Sequence, residues 1–263
     1  YEDFEEVTQR FFESAMIPYY FQGRAYALPE TQNFEMMFIR TDIFDELGLE
    51  IPTTWDEFYA VAALLNINNM MVGILENIRT FEMFIFQNNA SFYNENLTRT
   101  GFDQPEALQA FRDWTGLYAK HSLPLVFDFF SRFRTGEMPI SIMPYTQVNW
   151  LTAAAPEIRN LWVIAPIPGK VQPDGTINNS STATGTASIV INNSGKEDES
   201  YEFIKWWTSN EVQSRFGNDL EQLMGPSARY PTANIEAFRM LPWSRRDSES
   251  LMRQWENVRD IPQ

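Results

Sequence analysis

The sequence predicts an α/β protein, and two observations carry that reading. Short apolar runs of strand length alternate with helical segments along the whole chain. Their boundaries are marked by capping and breaking residues, most completely between Phe38 and Phe58. There a strand through Met36, Met37, Phe38 and Ile39 runs up to Arg40. A short helix follows, with Thr41 or Asp42 placed to cap its free N–H groups. Gly48 can take the left-handed conformation that closes a helix, and Leu49 stands where an apolar contact follows such a stop. Pro52 prevents continuation. Thr54 and Glu57 then form a capping box for the next helix.

The totals bound the class. The chain has 263 residues, enough for one or two domains at roughly 150 residues each. Hydrophobic residues make up 44%, which suffices for a real core, and no run of about 18 apolar residues exists. The net charge is −15, from 35 acidic and 20 basic residues. That balance disfavours nucleic acid and anionic lipid, whose phosphates need a basic face, and it suits an uncharged ligand. With no cysteine, disulfide scaffolds, thiolate zinc sites and cysteine nucleophiles are excluded. The segments Asn96–Thr98 and Asn192–Ser194 match the N-glycosylation pattern, a tripeptide common by chance.

In chain order, Tyr1 to Ala15 reads as one helix with Phe4, Val7, Phe11, Phe12 and Ala15 on a face, ended by Pro18. A turn at Gly23 leads into a strand, and Pro29–Gln32 separates it from the strand before Arg40. The helix from Trp55 ends near Leu65, and Met70–Leu75 is a short strand. Thr80–Phe86 is strongly aromatic. Asp103 to Glu106 is a second capping signal, with Pro105 in the first turn of a helix that reaches Lys120. Its expected inward stripe is Leu108, Phe111, Trp114 or Thr115, and Tyr118. Phe129–Thr135 is a helix closed by Gly136, and Met138–Met143 is a buried strand. Trp150–Ala155 is helical, and Leu161–Ile167 is a strand. Residues 170–182 read as a polar loop and Ala183–Asn192 as a strand of small and β-branched residues. Lys196–Ser209 is a helix, and a further one capped by Ser209 or Asn210 is expected to stop at Gly217. Residues 230–263 read as two or three short helices.

Five segments, in order, resemble the extracellular solute-binding proteins of bacterial ABC transporters, the sugar-binding branch in particular. The run FQGRAYALPE at 21–30 is similar to that family's x-G-K-x-Y-A-L-P strand. The run FIRTDIFDELGLEIPTTWDEF at 38–58 resembles its signature ELGL-x-x-P-x-TW segment. FRTGEMPISI at 133–142 and VIAPIPG at 163–169 follow, then GTASIVI at 185–191 with YEFIKWWTSNEVQ at 201–213. The resemblance implies a type II periplasmic-binding-protein-like fold, one lobe nearly complete and the other a remnant. Residues 1–32 and 183–229 would be the remnant of lobe one, and 33–182 with 230–263 lobe two. A complete member is longer at both ends, so the chain is read as the C-terminal part of a larger protein. The remnant is expected to pair with the missing N-terminal part of that protein or with another copy.

The implied function is non-catalytic binding of a carbohydrate in the interlobe cleft, followed by docking on an ABC permease. The implied location is extracellular, anchored as a lipoprotein on a Gram-positive bacterium, and no cofactor or metal is expected. A sensory or structural domain that has lost transport, or a glycoside hydrolase, stays open as an alternative. Sugar recognition needs aromatic faces together with amides, carboxylates and Arg. The resemblance puts Glu30 and Gln32 at the first crossing between lobes, with Thr184 and Thr186 beside Gly185 at the second. It offers Phe81 and Phe84 as stacking aromatics, Asp128 and Arg132 near the cleft, and Tyr145 at a strand end. Glu30 and Gln32 have the bland alternative of turn residues, Phe81 and Phe84 that of core aromatics, and Asp128 and Arg132 that of a structural ion pair. Catalysis has no support from motifs, since no G-x-S-x-G elbow, H-E-x-x-H or phosphate loop exists. His121, the lone histidine, stands at a helix end.

Overall fold

The chain begins with two short helices, α1 (Phe4–Thr8) and α2 (Glu13–Met16), where the apolar spacing predicts one. The helix is interrupted because the backbone at Arg10 and Phe11 is used elsewhere. Phe11 bridges to Asn234, and the Ile235 N–H donates to the Arg10 carbonyl at 3.0 Å. Val7, Phe11 and Ala15 are buried all the same. Here and below, the computed structural model describes residues 1–94, 96 and 98–259. Leu97, in the Asn96–Thr98 tripeptide, and residues 260–263, the end of the expected 230–263 segment, lie outside the described residues.

A hairpin of β1 (Tyr20–Phe21) and β2 (Arg24–Ala25) turns through Gln22 and Gly23. It leads to β3 (Leu28–Arg40), a strand of 13 residues that takes in Pro29–Gln32 as well as the expected Met36–Ile39. The punctuation after it is largely as the sequence implies. The helix α3 (Thr41–Leu47) stops at Gly48 in the left-handed conformation. Neither Thr41 nor Asp42 caps it; Arg40 holds the N-cap position without a side-chain cap. The helix α4 (Trp55–Ile67) carries the reciprocal Thr54–Glu57 capping box. Then come β4 (Val72–Ile74), α5 (Ile78–Gln87) and α6 (Pro105–Ala119). Asp103 does not cap α6, and its buried stripe is Ala107, Ala110 and Leu117, one position off the expected one. Leu108 and Phe111 are exposed.

Next are α7 (Phe129–Thr135), β5 (Ile140–Pro144), α8 (Gln147–Ala154) and β6 (Trp162–Ala165). The polar stretch after them contains a small hairpin, β7 (Lys170–Val171) with β8 (Ile177–Asn178). The strand β9 (Ser181–Ser188) follows, then α9 (Glu197–Trp207) and α10 (Asn210–Met224). Gly217 does not end α10; it is buried inside it against Leu241. The C-terminal part is α11 (Ile235–Met240), α12 (Arg245–Trp255) and β10 (Val258–Arg259).

One mixed sheet runs β10-β9-β3-β5-β4, with β6 also paired to β3. The length of β3 makes it the spine. Its first half, Leu28–Phe34, pairs antiparallel with β9, and its second half, from Glu35 to Arg40, pairs with β5 and β6. Strand alternation splits its apolar residues between two cores. Met37 and Ile39 join the core under α4, α5 and α6, whereas Phe34, Met36 and Phe38 join the one under α7, α8, α11 and α12. A third, smaller core gathers Val7, Phe11, Ala15, Met16, Leu28, Ile204 and Ala233 at the β9 end of the spine. The chain therefore has one well-covered body and a smaller one, joined through the β3–β9 ribbon.

Candidate functional site

The ribbon is where polar side chains collect. Its register sets Thr31 opposite Thr186 and Asn33 opposite Thr184. Alternation then puts Thr31, Asn33 and Glu35 on one face, together with Thr182, Thr184 and Thr186 across the ladder. The Thr31 and Thr186 hydroxyls lie 2.8 Å apart, and the Thr186 N–H donates to Thr31 Oγ1 at 3.0 Å. From α5, Arg79 donates through Nη1 to Thr184 Oγ1 at 3.3 Å. Asn33 donates through Nδ2 to Thr146 Oγ1 at 3.0 Å. Thr146 opens α8, so both sides of the larger body reach this face.

Three buried oxygens on the face have no hydrogen-bond partner: Asn33 Oδ1, Glu35 Oε2 and Thr182 Oγ1. Native interiors satisfy most buried polar groups, so orphans clustered on adjacent rungs of one ribbon set this stretch apart from the rest of the sheet. Burial pushes the Glu35 carboxyl up to about 7, against the opposing pull of the Arg79 charge. Gly185 sits in this ribbon because a Cβ there would lie 2.1 Å from the Thr31 carbonyl oxygen. A cavity of about 280 Å³ opens beside the crossing, lined by Ala15, Pro18, Thr31, Gln32, Thr184 and Gly185.

The residues singled out from sequence divide into three groups. Thr184 and Thr186 lie on the polar face. Glu30 is at its margin, at the bulge between Pro29 and Thr31. Its carboxylate accepts from Trp207 Nε1 at 2.7 Å and Ser188 Oγ at 2.6 Å, which ties it to α9 and β9. Gln32 and Tyr145 are on the opposite face and serve the interior. Gln32 Oε1 accepts from Trp255 Nε1 at 2.5 Å, and the Tyr145 hydroxyl donates to the Gln32 carbonyl at 3.0 Å. Tyr145 is 1% exposed, packed on Phe34 and Trp243. Both are buried, and one residue of strand alternation separates Gln32 from Asn33.

Phe81, Phe84, Asp128 and Arg132 are away from the ribbon. Phe84 is fully buried against Trp55, and Phe81 packs on Phe102, Phe111 and Trp114, so both are core aromatics. Asp128 caps α7, accepting from the Ser131 N–H at 3.2 Å and its hydroxyl at 2.6 Å. Arg132 pairs with Glu137 at 3.2 Å and not with Asp128. His121 stacks on the Tyr59 ring at 3.7 Å.

Sequence reasoning missed Asn33, Glu35, Arg79 and Thr182. One signal was present: a glutamate between Phe34 and Met36, inside an otherwise apolar strand, needs a reason to be there. Among the described residues, no group of three or more His, Cys, Asp or Glu side chains is arranged to hold a metal ion.

The comparisons with known proteins agree with this architecture. The family model for bacterial extracellular solute-binding protein matches residues 2–214. The solved sugar-binding protein MalE from Xanthomonas citri superposes with a TM-score of 0.77 at 20% identity, over 97% of this chain and 64% of that one. The cyclic α-maltosyl-1,6-maltose binding protein from Arthrobacter globiformis gives 0.75 at 17%, over 98% and 67%. An ABC transporter solute-binding protein from Thermotoga lettingae, bound with α-D-tagatose, gives 0.67 at 18%, over 98% and 67%. At these identities the likeness is one of fold: the α/β fold of the two-lobed type II binding proteins, with one lobe nearly whole and part of the other. The chain spans about two thirds of the length of these three proteins. No curated protein matches it by sequence. With the family model covering most of the residues and the fold following the same plan, this chain belongs to the bacterial extracellular solute-binding protein family.

Proposed function

We propose that the chain binds a carbohydrate in the cleft over the polar face of the β3–β9 ribbon, as the capture component of an ABC importer. The observation that carries this is the polar face itself, where Thr31, Asn33, Thr184 and Thr186 lie together on the strands that join the two bodies and Arg79 reaches Thr184 from α5. Hydroxyl-rich ligands match such a set of hydroxyl, amide and guanidinium groups. Family membership, and the saccharides named for several similar structures, support the same class.

In this reading the ligand is trapped by hinge closure without chemistry. Glu30 is held by Trp207 and Ser188, and Glu35 is buried beside Arg79, an arrangement that favours binding over hydrolysis by a carboxylate pair. The protein acts outside the cell, anchored on a Gram-positive surface as a lipoprotein, and hands its solute to a membrane permease. The lobes run as 1–32 with 183–229, and 33–182 with 230–263. The first-lobe side carries exposed Ile189, Ile191, Phe203 and Trp206, a surface suited to further polypeptide of the same protein or to another copy.

Calorimetry of the full-length protein with maltose, maltotetraose and D-tagatose tests the central claim. Binding by at least one, weakened about tenfold or more by Asn33→Ala or Arg79→Ala, is the expected result. Absence of binding by every saccharide in a wider neutral panel would sink the carbohydrate reading.

A further inference from the structure

A cavity of about 210 Å³ lies between α8, the turn that follows it and the start of α12. One of its walls is Trp162, which pairs with Arg40 at the end of β3 remote from the ribbon. The strand from Phe34, where the ribbon ends, to Arg40 is roughly 20 Å long at about 3.3 Å per residue. The cavity is therefore separate from the polar face of the ribbon. Val148, Leu151 and Ala155 line it with apolar groups from α8, and Trp162 is half-buried beside them. The polar residues that line it are reachable from solvent: Arg159, Asn160 and Arg246 are exposed, and Thr152 is half-buried.

These groups are donors with little to donate to. Glu157, the carboxylate nearest Arg159 in sequence, is taken by Arg134. Among the described residues no ion pair engages the Arg159 guanidinium, and no hydrogen bond engages it, the Thr152 hydroxyl or the Asn160 side chain. Arg246 donates through Nη2 to the Trp162 carbonyl at 3.3 Å, which holds its guanidinium beside that residue. Its Nε stands 3.6 Å from Asp247 Oδ1, a loose pairing, and the other Asp247 oxygen accepts from the Ser244 hydroxyl at 2.7 Å. Arg229 also lines the cavity, but Glu221 holds it through two bonds at 2.6 and 2.7 Å, so its charge is already answered. In a chain with a net charge of −15, a guanidinium with no carboxylate beside an apolar hollow is out of keeping with the rest of the surface.

We propose that this cavity is a binding site for a small carboxylate carried on a short apolar body. Arg159 and Arg246 hold the carboxylate, Thr152 and Asn160 add donors, and the body lies on Trp162 and the apolar face of α8. A guanidinium matches the two oxygens of a carboxylate with parallel N–H groups. Asp247 at the same rim limits the positive charge, which suits a monoanion and repels the more highly charged phosphate. The volume is below the roughly 300–1,000 Å³ of drug-sized pockets, so the body is a single ring or a short branched chain. The site goes beyond the carbohydrate reading and does not depend on it.

Calorimetric titration of the full-length protein near neutral pH tests the site, with benzoate and 4-methylpentanoate as probes and benzamide and inorganic phosphate as comparisons. At least one of the two carboxylates should bind with a dissociation constant of about 1 mM or tighter. Benzamide, which keeps the ring and lacks the charge, should bind at least about tenfold more weakly than benzoate. Arg159→Gln removes a guanidinium that no other side chain uses, so the fold is kept, and carboxylate binding should weaken by about three- to tenfold. Combined with Arg246→Gln it should be lost. Any saccharide bound at the ribbon should keep its affinity in Arg159→Gln. Failure of both carboxylates to bind up to about 10 mM overturns the site. Carboxylate binding that survives the double substitution overturns the role of the two arginines. Phosphate or benzamide binding as tightly as the carboxylates overturns the ligand class, and loss of saccharide together with carboxylate in Arg159→Gln overturns the separation from the ribbon.

Discussion

Arg40 and Glu35 lie five residues apart on the same strand and are buried for opposite reasons. Arg40 is surrounded by partners: Asp42 engages it through two bonds at 2.7 and 2.9 Å, and the Phe133 and Arg134 carbonyls accept from Nη1. Burial pushes the Asp42 carboxyl up, but the Arg40 fork outweighs that and holds it below the usual carboxylate range. Arg40→Met leaves Asp42 and two carbonyls without their donor, so urea denaturation should show a loss of about 3–5 kcal/mol. Glu35 lacks such partners, and its raised carboxyl has a stability consequence apart from any ligand. Between the unfolded value near 4.5 and the folded value of about 7, the native state holds a proton that the unfolded chain has lost. Stability from this group is thus present in full below the lower value and falls as pH rises through the upper one, by about 3 kcal/mol in all. Thermal melts of wild type against Glu35→Gln should converge at acid pH and separate above neutrality, with the glutamine variant more stable. Parallel melts across that range would refute the assignment.

At the scale of elements, local signals succeed where backbone needs are met locally. The Thr54–Glu57 capping box and the left-handed stop at Gly48 concern groups within a few residues of one another, and both stand as the sequence implies. Thr54→Ala should lower stability by about 1 kcal/mol in denaturant titrations and leave saccharide affinity unchanged. Local signals fail where distant chain intervenes. The predicted first helix is broken because the strand-like segment at Asn234 takes the Arg10 and Phe11 backbone. Gly217 reads as a stop but is the small residue that lets α10 approach Leu241. The stripe of α6 is shifted because its small residues Ala107 and Ala110 face α5 and leave larger ones outside. In the ribbon, Gly185 permits the close approach of β9 to Thr31. Gly185→Ala must displace a backbone carbonyl, and a loss of about 1–3 kcal/mol together with weakened saccharide binding is the expected outcome.

For the whole molecule, the long β3 strand decides how the parts relate. It joins the smaller body, through β9, to the larger, through β5 and β6, so the proposed hinge closure would be a rotation about this ribbon. Small-angle scattering of the full-length protein should show a smaller radius of gyration when saccharide is added. Unchanged scattering at saturation would remove the closing hinge from the mechanism.

The sequence by itself determined the α/β class, the family and most strand and helix positions, because periodicity, caps and motif order are local or ordered along the chain. The resemblance also pointed to Thr184 and Thr186, which lie on the polar face of the ribbon. Only the tertiary structure decided which residues share the polar face of the ribbon. A strand shows opposite faces at successive residues, and the choice between Gln32 and Asn33 depends on where α12 packs. Tyr145 and Phe84 are aromatic and well positioned in sequence, yet both are covered by neighbours far along the chain. Glu35 was visible as a charge within an apolar strand, but its orphaned oxygen arises from β9 and α5 closing around it.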